Sequence, residues 1–365
     1  MLYHFLFRLA NVLSPRNVFR YVTFRAAGAA ATAFVVAILF GRPFIGWLRA
    51  QGLGENTDKK ASDRLTRLHA AKLRTPTMGG VILLVAVGAA TLLWARLDNP
   101  FTLLALYTIL ASGLIGFLDD RVKLRRRRRG ISVREKFGLL ALVGAIVAAL
   151  LWWSTGGIEP DRGTLVFPFI KDLSVALGVF YLPFAGLVLV GTANAVNLTD
   201  GLDGMAAGCV VLVAGTFAVL AYVTGRADYS AYLLIPFVPG GEELAVFAAA
   251  LAGAGLGFLW FNCHPAEVFM GDTGSLALGG SIGFLAVALR QEVLLLLVGG
   301  VFVAEAASVI LQVASFRLRG RRVFRCAPLH HHFEFKGWLE SKITTRFWIV
   351  GAILAVVGLA SLKVR

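Results

Sequence analysis

Three short stretches, far apart along the chain, hold residues whose types and spacing suit chemistry. Asp119 and Asp120 are adjacent in Gly116-Phe117-Leu118-Asp119-Asp120. Asp200 and Asp203 lie in Asn194-Ala195-Val196-Asn197-Leu198-Thr199-Asp200-Gly201-Leu202-Asp203-Gly204. Asp272 lies in Phe269-Met270-Gly271-Asp272-Thr273-Gly274-Ser275. Carboxylate and amide oxygens are hard ligands that suit Mg2+, which keeps waters and binds through one or two carboxylates plus substrate phosphates. Phosphoryl transfer asks for little more than a metal, cations and in-line positioning. Cations are at hand in Lys72, Lys123, the run Arg125 to Arg129, Lys136 and the cluster Pro328-Leu329-His330-His331-His332. The inventory fits Mg2+-assisted chemistry on a diphosphate.

Each feature alone also has an ordinary reading. The Asp119-Asp120 pair can be a solvated helix end beside a basic loop. Asp200-Gly201 and Asp203-Gly204 are common turn formers. Asp272 ahead of Thr273 can cap a helix, and an arginine run more often marks topology than a site. Three adjacent histidines cannot all face one ion from a helix. Glu305, deep in an apolar stretch, is either functional or one half of a helix-helix hydrogen bond. The segment Thr75-Pro76-Thr77-Met78-Gly79-Gly80 opens another apolar stretch, and its glycines admit close approach of a helix or a phosphate.

The elements that must bring these stretches together are membrane helices. Of 365 residues, 58% are hydrophobic and only 16% charged, and the mean hydropathy is +0.75. Soluble chains run at about 45–50% apolar and about 25% charged, so this chain lacks the polar surface to sit in water. A spanning helix needs about 20 mostly apolar residues. Ten stretches qualify: 26–48, 77–96, 101–118, 137–153, 173–193, 204–224, 244–261, 275–289, 293–316 and 344–363. The expected fold is all-α and polytopic, a single integral-membrane domain over 1–365, with 1–20 as an interfacial amphipathic helix. Gly299-Gly300 is a place for the ninth span to bend.

Ten spans put both termini on one side. Alternate connections then hold 23 Lys and Arg on the face bearing the aspartates, against 11 on the other face with the tails. The first face is expected to be cytoplasmic and the termini outside. The net charge of +15 is therefore read as topology, and no nucleic-acid partner is expected. Three widely spaced cysteines offer neither a disulfide framework nor a metal site.

Taken together, these residues resemble the phospho-N-acetylmuramoyl-pentapeptide-transferase (MraY) family, within the polyprenyl-phosphate N-acetylhexosamine-1-phosphate transferase superfamily. The superfamily shares the paired aspartates, the NxxNxxDGxDG run at Asn194 to Gly204 and the GDxGS element at Gly271 to Ser275. The narrower match rests on Thr75 to Gly80, on Phe261-Asn262 with Pro265-Ala266, and on Ala327-Pro328-Leu329-His330-His331-His332-Phe333-Glu334. It runs from about residue 20 to the C-terminus.

The resemblance implies attack of undecaprenyl phosphate on the β-phosphorus of UDP-MurNAc-pentapeptide, giving lipid I and UMP. It further implies Mg2+ held by Asp272, Asp119 as base or lipid-phosphate positioner, and Asp120 as its partner. Asn194, Asn197, Asp200, Asp203 and Asn262 would line the nucleotide pocket, and Phe269 would stack on uracil. His330 and His331 would act at the reacting groups, with His332, Lys72, Lys123 and Lys136 also on the substrate. Cys263 and His264 fill variable places and receive no role. The family further implies a homodimer in the bacterial inner membrane, with a cytoplasmic active site. Direct attack and a covalent aspartyl route both stay open.

Three rivals compete. A transporter or flippase would place ionisable groups near the bilayer midplane, and here only Glu305 is deep. An intramembrane metalloprotease needs a His-Glu-x-x-His helix, which the sequence lacks. A transferase using UDP-GlcNAc would share the chemistry but differ at the histidine segment.

Overall fold

Apolar stretches of this length in a chain short of polar surface can satisfy their backbone groups only internally, as helices. The computed structural model describes residues 18–51, 75–126, 130–154, 163–168, 170 and 173–363. In chain order the helices are α1 (Val22–Ala50), α2 (Gly80–Trp94), α3 (Pro100–Arg126), α4 (Val133–Ser154), α5 (Tyr181–Thr199), α6 (Met205–Thr224), α7 (Ala227–Leu233) and α8 (Leu244–Asn262). They continue as α9 (Gly271–Ala288), α10 (Glu292–Val298), α11 (Gly300–Arg319), α12 (Leu329–Glu334) and α13 (Glu340–Ser361). Among the described residues, eight helical segments are long and apolar enough to cross a membrane, and α2 is a shorter apolar helix.

Each of the ten apolar stretches meets a helix, with two departures. The fifth was expected from residue 173, but Ser174–Ala176 is a strand, β2, paired antiparallel with β1 (Thr164–Val166), and the helix begins at Tyr181. A hydropathy window registers an apolar run without distinguishing a strand from a helix. The ninth is two helices, α10 and α11, meeting at Gly299, where the two adjacent glycines weaken helix continuity. Of the expected interfacial helix, residues 1–17 lie outside the described residues, and residues 18–20 form one 3-10 turn.

The centre of the bundle is α9, whose residues from Thr273 to Ala288 are all buried. It packs on α3, α5 and α2, and glycine makes that approach close. A Cβ on Gly279 would lie 2.7 Å from the Ala193 Cα, and one on Gly283 would lie 2.9 Å from the Leu189 Cα. Lipid offers no hydrophobic drive between helices, so small residues that let backbones touch are how such helices associate. The α1–α8 pair repeats the device: α1 buries Ala29, Ala33, Ala37 and Gly41 at a spacing of four, and a Cβ on Gly253 would lie 2.1 Å from the Ala30 carbonyl oxygen. Near the start of α1, Arg25 and Glu243 form a buried two-point ion pair at 2.6 and 2.5 Å.

The outer faces of these helices are exposed and apolar, among them Leu39, Leu103, Leu110, Leu114, Leu142, Leu187, Ile310 and Val356. Water would not tolerate a surface of this extent, whereas acyl chains complement it.

Gly283→Val is expected to overpack the α9–α5 contact at a cost of about 1–3 kcal/mol and lower the thermal unfolding midpoint in detergent. Gly191→Val, where an added Cβ meets nothing within 4 Å, should not. Equal midpoints for the two variants would contradict the glycine packing.

Candidate active site

The acidic stretches converge at the N-terminal end of α9. Gly271 has φ +71°, a left-handed conformation that glycine adopts without strain, and it turns the chain into the helix. Gly116 of α3 lies so close that a Cβ there would stand 2.1 Å from the Asp272 carbonyl oxygen. From the other side, the Gly79 and Gly80 N–H groups donate to the Phe269 and Met270 carbonyls, and the Phe269 N–H donates to Pro76. The Thr75–Gly80 glycines thus serve close chain packing at this end.

Asp119 and Asp120, consecutive on α3, point in different directions and do different things. Asp120 accepts the N–H groups of Asp272 and Thr273 at 3.1 and 2.9 Å and the Thr273 hydroxyl at 2.6 Å. It caps α9 from another helix, placing its charge where the helix dipole favours an anion. Asp272 is therefore in the first turn of α9 and does not cap it. Asp119 accepts the Ile131 N–H through Oδ1 at 2.7 Å, and its Oδ2 lies 2.8 Å from the Lys123 Nζ and 3.5 Å from the Lys136 Nζ.

Lys123 is one helical turn beyond Asp119 on α3. Lys136 comes from α4, whose start is set by a capping box. The Ser132 N–H donates to Glu135 at 2.8 Å, and the Glu135 N–H donates to the Ser132 hydroxyl at 3.2 Å. Both ammonium groups meet on Asp272 Oδ2, Lys123 at 2.9 Å and Lys136 in direct hydrogen bond. Asn197, on the last turn of α5, donates to Asp272 Oδ1 and to the Ser275 hydroxyl, each at 2.8 Å.

A second group lies along the Asp200–Gly204 turn, which Gly204 closes at φ +72°. Asp203 accepts the Ala266 N–H at 3.1 Å and faces the His264 Nδ1 at 3.0 Å, while its own N–H donates to Glu340 at 2.7 Å. Among the described residues, ligand atoms of Asp203, His264 and Glu340 fall within 4.8 Å of one another. Asn262 accepts the Gly204 N–H at 3.1 Å and donates to the Val268 carbonyl at 2.8 Å. Its buried amide ties this turn to the segment leading into α9.

The three histidines on α12 differ. His330 is fully buried against Glu305, His331 pairs with Glu334 at 2.5 Å, and the His332 Nδ1 accepts the Arg325 N–H at 3.1 Å. Burial and the charges of Lys336 and Arg325 keep His332 below the usual histidine range, in keeping with an accepting nitrogen.

The structure thus joins Asp119, Asp120, Lys123, Lys136, Asn197 and Asp272 in one network. Asp200, Asp203, Asn262 and Phe269 lie on the adjoining segments, with Phe269 half-buried. Asn194 stands apart, donating to the Val190 carbonyl of its own helix at 2.8 Å. Lys72 and the arginines 127–129 lie outside the described residues. Sequence reasoning overlooked Thr273, Ser275 and Glu340. The first two were visible inside the Gly271–Ser275 element, whereas nothing in the sequence ties Glu340 to Asp203.

A family model, glycosyl transferase family 4, matches residues 102–290. Phospho-N-acetylmuramoyl-pentapeptide-transferases of Ruegeria sp. (strain TM1040) and Ruegeria pomeroyi are 51% and 50% identical to the chain over 351 residues, covering 96% of both chains in each pair. The enzyme of that name from Dinoroseobacter shibae is 50% identical over 355 residues, again covering 96% of each. At that identity and coverage, with its acidic and basic residues gathered at one helix end, the chain belongs to the phospho-N-acetylmuramoyl-pentapeptide-transferase family.

Proposed function

We propose that the protein transfers the phospho-MurNAc-pentapeptide group of UDP-MurNAc-pentapeptide to undecaprenyl phosphate, forming undecaprenyl-diphospho-MurNAc-pentapeptide (lipid I) and UMP. The observation that carries this reading is the meeting of Asp272, Asp119, Lys123, Lys136 and Asn197 at the head of α9. Oxygen donors beside paired ammonium groups suit two phosphates meeting end to end.

The donor set fits Mg2+. Asp272, Asp119 and the Ser275 hydroxyl offer hard oxygens and no sulfur or imidazole, the preference of Mg2+. Asp272 would hold the ion, which when bound supplies charge neutralisation for the diphosphate. The remaining work falls to the chain. Lys123 and Lys136 neutralise phosphate oxygens, Asn197 fixes the Asp272 carboxylate, and Asp120 locks the helix that carries it.

The acceptor phosphate has a second pKa of about 6 and is largely ionised at neutral pH, so no strong base is required. Asp119, already held by the Ile131 N–H and two lysines, orients this phosphate. That engagement favours direct attack: an acceptor oxygen bonds to the β-phosphorus as the bond to UMP breaks. Phe269 and the Asp200–Asp203 turn would receive the uridine, with Asn262 supporting that pocket. His331 and His332 would meet the pentapeptide-bearing sugar and Lys72 the nucleotide.

The site faces the cytoplasm in this reading, because the basic connections lie on its side. The chain then crosses the inner membrane ten times with both termini outside, working as a homodimer.

Purified protein with undecaprenyl phosphate and Mg2+ is expected to release UMP from UDP-MurNAc-pentapeptide but not from UDP-GlcNAc, and to stop on chelation. Release from UDP-GlcNAc would keep the chemistry and overturn the substrate. Release from neither by a folded sample would reopen a transport role.

Asp272→Asn is expected to cut turnover by about 100- to 1,000-fold, the rate equivalent of losing several kcal/mol of charge stabilisation, with the folded state retained. An active variant would remove Asp272 from the metal role.

A further inference from the structure

The second half of α11 stands clear of the bundle. The buried residues of this helix are Val301, Phe302, Glu305 and Ser308, and nothing from residue 309 to its end is buried. Ile310, Leu311, Val313, Phe316 and Leu318 are exposed, Leu318 to 83%. A spanning helix bared in this way meets acyl chains, and its apolar surface runs almost to its last residue.

Basic residues begin where that surface ends. Arg317, Arg319, Arg321, Arg322 and Arg325 follow closely on one another, and no Asp or Glu occurs between Glu305 and Glu334. Arg325 is partly committed, its guanidinium donating to the Phe335 carbonyl at 3.1 Å. The other four are exposed, and the ion pairs among the described residues involve none of them.

These arginines are not on a loose connection. Gly320 ends α11 in a left-handed turn at φ +64°, and side chains fasten the returning chain to the helix. The Gln312 amide accepts the Val323 and Phe324 N–H groups at 3.0 and 2.9 Å and donates to the Phe324 carbonyl at 3.0 Å. The Ser315 hydroxyl donates to the Arg321 carbonyl at 2.9 Å. Arg317 and Arg319 at the helix end and Arg321 and Arg322 on the return are thus held together beside Phe316 and Leu318. Membrane topology accounts for the sign of these charges, and the helix dipole favours the first two. Neither calls for a fastened return.

We propose that this basic end of α11 binds the headgroups of anionic phospholipids, while the bare apolar surface of the helix lies among their acyl chains. A cluster of Lys and Arg directly beyond a spanning helix attracts acidic lipid. Guanidinium groups take phosphate oxygens two at a time, and their stems lie along apolar surface. A second copy of the chain would bring the same acid-free, arginine-rich surface, setting like charges against each other. A soluble anion would leave Phe316 and Leu318 uncovered. The inference uses the membrane fold and not the proposed reaction, so its test needs no turnover.

Native mass spectrometry of the full-length protein in neutral detergent, with phosphatidylglycerol or phosphatidylcholine added, reads bound lipid and oligomeric state together. The wild type is expected to hold phosphatidylglycerol the more tightly. Arg321→Gln/Arg322→Gln should weaken phosphatidylglycerol binding about 10- to 30-fold, the effect of two charges near a lipid surface. Phosphatidylcholine binding should stay unchanged in that variant, which shows that it is folded. Arg321→Lys/Arg322→Lys keeps both charges and should keep most of the preference. Arg121→Gln/Arg134→Gln removes two exposed arginines elsewhere and should keep all of it. No preference in the wild type, no loss in Arg321→Gln/Arg322→Gln, or an equal loss in both glutamine pairs would overturn the proposal. So would displacement of the lipid by an equal concentration of inorganic phosphate, which would give the arginines to a soluble anion. Dimers lost from Arg321→Gln/Arg322→Gln with phosphatidylglycerol binding intact would give the surface to a second copy and equally refute it.

Discussion

The structure depends on a charge balance at the N-terminus of a buried helix. Three carboxylates, Asp119, Asp120 and Asp272, meet where α9 begins, and two ammonium groups, Lys123 and Lys136, face them. The helix end contributes roughly half a positive charge, and Asp120 takes that share by capping it. At the same place both lysines already face carboxylates, so the positive and negative groups of this end are spent on one another.

Everything around α9 serves to hold that end still. Because the helix is buried on all sides, its first turn can be fixed only by neighbours, and the neighbours are brought into backbone contact by glycine. Gly116, Gly80 and Gly274 crowd the same few ångströms as Asp272, and Gly279 and Gly283 continue the contact down α5. In a membrane, where apolar burial does not distinguish a helix partner from lipid, this shape matching carries the specificity. The same glycines put Asn197, at the far end of α5, within hydrogen-bond reach of Asp272. Packing and electrostatics are thus one device: the close approach sets the distances that make the charges useful.

Much of this was legible in the sequence, for identifiable reasons. Helix positions follow from long apolar runs, and the convergence of the three acidic stretches follows from counting crossings. Individual roles were less visible. Asp119 and Asp120 look alike as letters, yet their directions from α3 make Asp120 a cap of α9 and Asp119 the partner of Lys123, Lys136 and the Ile131 N–H. Asn194 and Asn197 sit in one motif, but only Asn197 reaches Asp272, because Asn194 bonds back to its own helix. The hairpin of β1 and β2 was missed because short apolar strands and helix ends share a hydropathy profile.

Glu305 shows how a local irregularity changes a residue's meaning. In an unbroken ninth span it would lie near mid-membrane, where a carboxylate suggests an ion or proton path. The break at Gly299 instead makes it the second turn of a separate helix, α11, and α12 packs against that helix. The carboxylate then has a histidine for a neighbour in place of lipid, and both of its oxygens meet that residue. The sequence leaves Glu305 either functional or one half of a helix-helix hydrogen bond, and in the folded chain it is hydrogen-bonded to His330 of α12. Glu305 thereby joins the polar groups of the adjoining turns, since His330 also stands against Gly201 between Asp200 and Asp203.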